Sequence, residues 1–224
     1  MPANAASRQI QAVIFDMDGT LLDSERLSHK AWDAAAREVG ESVTWETFLK
    51  MVGHRSADCI RILQESVGKP LPAEAVMASA REHYARLVGA GVPLMPGAEA
   101  IFNFARERGW KIGIATSTRR ESAQAKLEHA GLWQYVDAAT CGDEVTVGKP
   151  DPEIYATTAE KLGVPAARCL AVEDSPTGFR SAFSAGCLSV LIPDLVAPTP
   201  EARRDAAAVL PSLHALRGWL CEGI

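Results

Sequence analysis

The stretch "VIFDMDGTLLDSE" places Asp16 and Asp18 directly behind an apolar run and follows them with Gly19 and Thr20. In an extended chain, residues two apart point the same way. The two carboxylates would therefore stand side by side where the chain leaves a sheet, with Gly19 allowing a sharp exit. At about 4 Å and an effective dielectric near 20, two such charges repel by about 4 kcal/mol, so the pair calls for a cation, a shared proton, or both. A hard divalent ion, Mg²⁺, suits the position because it takes oxygen ligands and keeps waters that a substrate oxygen can displace. One aspartate at a strand end would be read as a turn former; a pair followed by Gly-Thr asks for more. A calcium loop of the EF-hand kind fits poorly, since it wants an acidic or amide residue where Thr20 stands and a glycine where Leu21 stands.

Three further stretches offer matching groups. "IATST" sets Thr116 and Ser117 at the end of an apolar run, with hydroxyl and backbone donors for a phosphoryl oxygen; alone, such a pair is more often a helix cap. "VGKPDPE" puts Lys149 in a loop stiffened by Pro150 and Pro152, where an isolated lysine is usually only solvated. "LAVEDSPTG" brings Glu173 and Asp174 to the end of another run, ahead of Ser175 and Pro176, which open a helix. Capping by either acid or by Ser175 is the plain alternative there. Each signal is weak singly. Their joint occurrence, in this order and each at a strand's carboxyl end, is hard to assign to chance.

The elements that must position these groups follow from hydrophobic patterning. "AVIFDMD", "WKIGIATS", "CLAVED" and "LSVLIP" are short Val- and Ile-rich runs broken by polar residues or proline, as strands buried on both faces are, with "VDAATCG" and "AAVLP" as weaker copies. Between them, "AEAIFNFARERG", "RRESAQAKLEHAG", "PEIYATTAEKLG" and "PTGFRSAFSAG" have helical spacing and end at glycines. Alternation of this kind predicts an α/β fold, a parallel sheet wrapped by helices with its working crevice at the carboxyl ends of the strands.

One segment breaks the alternation. From residue 24 to 93 only helix signals occur, in "SERLSHKAWDAAAREVG", "TWETFLKMV", "SADCIRILQESVG" and "PAEAVMASAREHYARLVG". That length suffices for a small helical bundle with its own core. The expected organisation is a core of residues 1–23 and 94–224 and an inserted all-α cap of residues 24–93, hinged near residues 22–25 and 92–97 and closing over the crevice. "APTPEARRDAAA" is expected to be a surface connection.

Composition narrows the function further. The chain has 224 residues, 47% of them hydrophobic and 23% charged, which is ordinary for a globular protein. A net charge of −5 argues against nucleic acid or an anionic membrane as partner. The five cysteines are scattered, without a close pair of the metal or redox kind. "MPANAASRQIQ" has no basic start followed by an apolar stretch, and no segment is apolar long enough to cross a bilayer. A soluble, cytoplasmic protein is expected, and a chain with its own cap is compatible with a monomer.

Taken together, "DMDGT", the threonine of "ATST", the lysine of "GKPDP" and the acids of "EDS" resemble the four motifs of the haloacid dehalogenase-like (HAD) hydrolase superfamily. The resemblance spans residues 12–193. The insertion falls where the subgroup of β-phosphoglucomutase, phosphoglycolate phosphatase and sugar-phosphate phosphatases carries a helical cap. It implies a Rossmann-like core and phosphoryl transfer through an aspartyl phosphate, with a small phosphorylated metabolite as substrate. Asp16 would be the nucleophile. Asp18 would protonate the leaving oxygen and then activate water, while Thr116, Ser117 and Lys149 would hold the phosphoryl oxygens. Mg²⁺ would be bound by Asp16, Asp174 and the backbone carbonyl of Asp18, with Glu173 acting directly or through water. Glu25, His54 and Arg55 are the cap residues expected to face the substrate, Arg55 being able to take a hydroxyl or a second anion.

Among relatives, dehalogenases lack the second motif aspartate, which is present here as Asp18. Phosphonoacetaldehyde hydrolases need a cap lysine for a Schiff base, and the comparable stretch "MVGHRSAD" offers Arg55, which cannot form one. A β-phosphoglucomutase-type mutase is the alternative to a phosphatase. In the register that aligns Trp32, its hinge histidine is replaced by Ser28, and His29, one place on, is turned by about 100° on a helix. Receiver domains also gather acids, a hydroxyl and a lysine around Mg²⁺, but their phosphorylated aspartate lies on an interior strand of a smaller domain. A phosphoryl-binding protein without catalysis is the remaining option, against which every expected catalytic position is filled.

Overall fold

Four Val- and Ile-rich runs and their two weaker copies become six strands of one sheet, β1 (Ala12–Phe15), β2 (Lys111–Thr116), β3 (Ala138–Cys141), β4 (Cys169–Glu173), β5 (Leu188–Leu191) and β6 (Ala208–Val209). The computed structural model describes residues 10–52, 54 and 56–222. The order is β3-β2-β1-β4-β5-β6, with every neighbouring pair parallel. β1 and β4 are buried at every residue, which is why they read as unbroken apolar runs rather than alternating ones. Phe15 pairs with Ile114 on one side and Val172 on the other, so the residues that follow β1, β2 and β4 emerge together at the carboxyl edge. β1 is also where the chain changes direction across the sheet, the place at which such folds open a crevice.

The chain divides into two compact units, Asp23–Pro93 and the residues on either side of it. The inserted unit contains α1 (Ser24–Glu38), α2 (Trp45–Met51), α3 (Ser56–Val67) and α4 (Ala73–Gly89), and no strand among its described residues. α1 buries Leu27, Ala31 and Ala35 at four-residue spacing and packs along α4, which buries Val76 and Ala80. Thr44 caps α2 by accepting from the Thr47 N–H at 3.1 Å. His29 is spent inside this unit. Its Nε2 lies 2.8 Å from the Val43 carbonyl oxygen, and its ring meets those of Trp45 and Phe48 at 5.1 Å between centroids. A cavity of about 200 Å³ lies among α1, α3 and α4, with Ser28, Trp32 and Arg81 in its wall.

The other unit wraps the sheet with α5 (Ala98–Glu107), α6 (Arg120–His129), α7 (Glu153–Leu162), α8 (Pro176–Ser184), α9 (Pro200–Asp205) and α10 (Leu213–Glu222). α7 buries Ile154, Tyr155, Thr158, Ala159 and Leu162 and stops at Gly163, whose φ of 65° suits a residue without a Cβ. α9 corrects the sequence expectation for "APTPEARRDAAA", which is not simply a connection. Thr199 accepts from the Ala202 N–H at 3.1 Å and Pro200 occupies the first turn, the pairing that starts a helix even in an alanine-rich stretch. No helix among the described residues is long and apolar enough to cross a membrane.

Candidate active site

Asp16 leaves the end of β1 with its backbone N–H still donating to Val172, so its side chain is aimed by the sheet itself. Lys149 enters from the loop before α7 and places its Nζ 2.5 Å from Asp16 Oδ1 and 2.5 Å from Glu173 Oε1, bridging the ends of β1 and β4. The side chains of all three are almost wholly buried. Tyr155, on the first turn of α7, donates its hydroxyl to the same Glu173 Oε1 at 2.7 Å, and its ring centroid lies 5.3 Å from Lys149 Nζ. Ser175 donates to Glu173 Oε2 at 3.3 Å while accepting from the Gly178 N–H at 3.1 Å, so it caps α8 and steadies the glutamate at once. A Cβ at Gly178 would collide with the Glu173 carboxylate, so only glycine lets α8 approach so closely.

Burial sets the electrostatics. It pushes the Asp16 carboxyl up to about 8, Lys149 opposing the shift and Glu173 and Asp18 adding to it. Burial alone would lower Lys149, but Asp16 and Glu173 outweigh it and hold the ammonium above the ordinary lysine range. Asp174 is raised well above the usual carboxylate range by burial and then by Asp16 and Glu173. Tyr155 is raised by burial and by the same two acids. Three acids around one lysine leave an excess of negative charge in a dry place, which is the condition a bound cation relieves.

Asp18 faces different partners. β1 ends at Phe15, and Asp18 lies beyond it in a bridge with Leu22, near enough for its charge to act on Asp16 while its carboxylate oxygens take partners of their own. Asp18 Oδ1 accepts from Lys126 Nζ at 2.8 Å, and Oδ2 accepts from Thr118 Oγ1 at 2.6 Å. Thr116, at the end of β2, is buried, and its Oγ1 accepts from the Thr118 N–H at 3.1 Å, which leaves its O–H to donate elsewhere. Ser117 is exposed, and its carbonyl oxygen lies so close to Gly142 that a Cβ there would collide with it.

Asp16, Glu173 and Asp174 each offer a carboxylate oxygen, and these atoms lie within 4.8 Å of one another. The set fits Mg²⁺ in chemistry: hard oxygens, several negative charges and little else to neutralise them. Glu173 already receives three side-chain donors on its two oxygens. Asp174 receives the Thr20 hydroxyl at 3.5 Å and lies beside Gly19, whose φ is 88° and where a Cβ would come within 2.5 Å of Asp174 Oδ2. The Asp-Gly-Thr sequence after β1 thus makes room for the acid that follows β4.

Of the residues singled out from sequence, Asp16, Lys149, Glu173 and Asp174 converge, and Asp18 and Thr116 share Thr118 as a neighbour. Glu25 and His54 belong to the inserted unit. Glu25 is half-buried in the first turn of α1, and His54 is exposed just before α3. Arg55 lies outside the described residues. Sequence reading missed Lys126, Thr118 and Tyr155. Only Lys126 left a signal, as a lysine between Ala123 and Leu127 on the buried stripe of α6.

A parallel sheet whose central strand ends meet in a lysine-bridged acid cluster agrees with a HAD-like hydrolase, and the chain belongs to that family, whose model matches residues 10–186. Among individual proteins, the plasmid-borne protein CbbY of Cupriavidus necator is 38% identical over 223 residues, covering 91% of this chain and 86% of that protein. The phosphorylated carbohydrates phosphatase of Thermotoga maritima is 33% identical over 79% of this chain and 82% of its own length. The crystal structure of a HAD family hydrolase from Deinococcus radiodurans R1 with bound phosphate and sodium has a TM-score of 0.84 at 27% identity, covering 96% of both chains.

Proposed function

We propose that this chain is a Mg²⁺-dependent phosphatase that hydrolyses a small phosphomonoester, a sugar phosphate or similar metabolite, through an aspartyl phosphate on Asp16. The observation that carries this reading is Lys149 bridging Asp16 and Glu173 with the Asp174 carboxylate alongside. Asp16, Asp174 and the backbone carbonyl of Asp18 would hold the metal, which supplies the positive charge that lets a phosphate dianion approach buried carboxylates. Glu173 takes three protein donors, keeps a lone pair on Oε2 for the metal or a bridging water, and acts as the counter-ion that orients Lys149. In the first displacement an Asp16 oxygen bonds to phosphorus, the ester P–O bond breaks and Asp18 gives its proton to the leaving oxygen. In the second, water bonds to phosphorus, its proton passes to Asp18 and the Asp16–phosphorus bond breaks, releasing phosphate. Lys149 and the O–H of Thr116 steady the non-bridging oxygens as charge redistributes.

Hydrolysis is favoured over mutase chemistry because His29 is committed to Val43 and two aromatic rings while Ser28 lines a cavity, which supplies no hinge histidine. The Thermotoga relative's name supports a phosphorylated carbohydrate as substrate. Glu25, His54 and Arg55 are assigned to choosing among such substrates. Five free thiols, four of them buried, suit a reducing cytoplasm, and all the site residues come from one chain, so a monomer suffices.

The test is a panel of sugar phosphates, phosphoglycolate and nucleoside monophosphates assayed with Mg²⁺, with EDTA and with Asp16→Asn. Turnover is expected only with metal, and Asp16→Asn should lose about 10⁴-fold or more. Full turnover by Asp16→Asn would remove the covalent route, and conversion of glucose 1-phosphate to glucose 6-phosphate would replace the phosphatase by a mutase.

A further inference from the structure

Both anchors of Asp18, Lys126 at Oδ1 and Thr118 at Oδ2, belong to the same compact unit as Asp18 itself, and neither comes from the inserted helices. Lys126 is 4% exposed and sits on the buried stripe of α6 between Ala123 and Leu127. An ammonium is costly there unless a carboxylate answers it, and an apolar side chain of the same length would commonly stabilise such a position as well or better. Stability alone therefore explains the lysine poorly. Its target is the acid that moves protons in both displacements.

Resting on the phosphatase reading above, the geometry points to Lys126 as a positioning residue that, with Thr118, fixes the Asp18 carboxylate from within the core. Each Asp18 oxygen spends one lone pair on its anchor and keeps another, so one proton can still be held and passed on. A carboxylate fixed this way would face the leaving oxygen in the first displacement and the attacking water in the second. Water can then act as second acceptor as soon as the alcohol product has left, which is the behaviour of a phosphatase. Loss of the anchor misaligns both proton transfers while leaving the groups around Asp16 that hold the phosphoryl oxygens in place.

Lys126→Met and Thr118→Val, made in the full chain and assayed with Mg²⁺, test this. On glycerol phosphate, whose alkoxide must be protonated as it leaves, Lys126→Met should lose about 10²-fold in kcat with KM within about threefold. Competitive inhibition by inorganic phosphate should be unchanged. With p-nitrophenyl phosphate, whose leaving group needs little protonation, the first displacement persists and the second slows. Phosphorylated Asp16 should then accumulate in acid-quenched samples above the wild-type level. A merely structural lysine would lower the thermal midpoint without changing the phosphoenzyme fraction. Unchanged kcat, or phosphate inhibition lost in step with kcat, overturns the proposal. If Lys126→Met does not fold, Thr118→Val bears the same readouts with an expected loss of about tenfold. A wild-type chain without metal-dependent hydrolysis sinks the phosphatase reading and this proposal together; an active wild type with an unimpaired Lys126→Met sinks this proposal alone.

Discussion

Lys149 and Lys126 are both buried ammonium groups bonded to aspartates two residues apart, yet they differ in every other respect. Lys149 reaches in from a proline-flanked loop, is shared between Asp16 and Glu173, and stacks near the Tyr155 ring. Lys126 rises from the middle of a helix to Asp18, opposite a threonine hydroxyl. A cation placed between two acids near a nucleophile neutralises what is brought to it. A cation placed on a proton-transfer group orients it. On the proposed mechanism, the difference teaches that two buried ammonium groups at one site would serve binding in one place and alignment in the other.

Lys149→Met should break this division most visibly. It leaves Asp16 and Glu173 buried without their shared cation, so kcat should fall by about 10²–10³-fold and inhibition by inorganic phosphate should weaken in parallel. Phosphate inhibition that survives in Lys149→Met and disappears in Lys126→Met would reverse the two roles. Tyr155→Phe probes the same arm more gently by removing the hydroxyl from Glu173. Chemical denaturation should show a loss of about 1–3 kcal/mol, with kcat reduced by less than about tenfold. Equal loss of activity in Tyr155→Phe and Lys149→Met would mean that Glu173, rather than the lysine, is the group that matters.

The smallest expected effect is on pH. The Asp16 carboxyl rises from 3.8 to about 8 through burial, so across that window the metal-free fold holds a proton that the unfolded chain has released. Stability of the metal-free protein therefore falls as pH rises between those two values. Mg²⁺ at the proposed site would bind the deprotonated carboxylate, so the stabilisation it confers should grow over the same window. Thermal midpoints with and without Mg²⁺ should diverge by several degrees between about pH 5 and pH 8. A constant difference would indicate that the metal does not compete with the Asp16 proton.

How much of this was visible in the chain depends on the range of the cause. Strands and helices were legible because their signal is periodic and local, as in the unbroken apolar run of β1 or the stripe Ile154, Thr158 and Leu162 on α7. Lys149 was legible because its flanking prolines and its place after a strand set it apart. Thr199-Pro200 carried a helix-start signal that the surrounding alanines and prolines obscured. Both aspartates fall just past the strand, which ends at Phe15, so the period-two signal of β1 stops short of the residues it was used to place. Lys126 and Tyr155 were hidden for a physical reason. A helical lysine is usually solvated and a helical tyrosine usually core, and what makes either unusual is a carboxylate more than a hundred residues away for Lys126, and 18 for Tyr155.

The position of β1 between β2 and β4 also governs when chemistry becomes possible during synthesis. Asp16 emerges early from the ribosome, but Lys149 lies 133 residues later, and Asp174 follows Thr20 by 154. A nascent chain that stops short of β4 exposes its first strand on one side and lacks Glu173 and Asp174, two of the three acids that meet at the site. On the proposed mechanism a phosphorylated metabolite would thus meet an inert polypeptide until about three quarters of it has been made, and a truncated translation product would contribute nothing to turnover however much of its sheet it had formed.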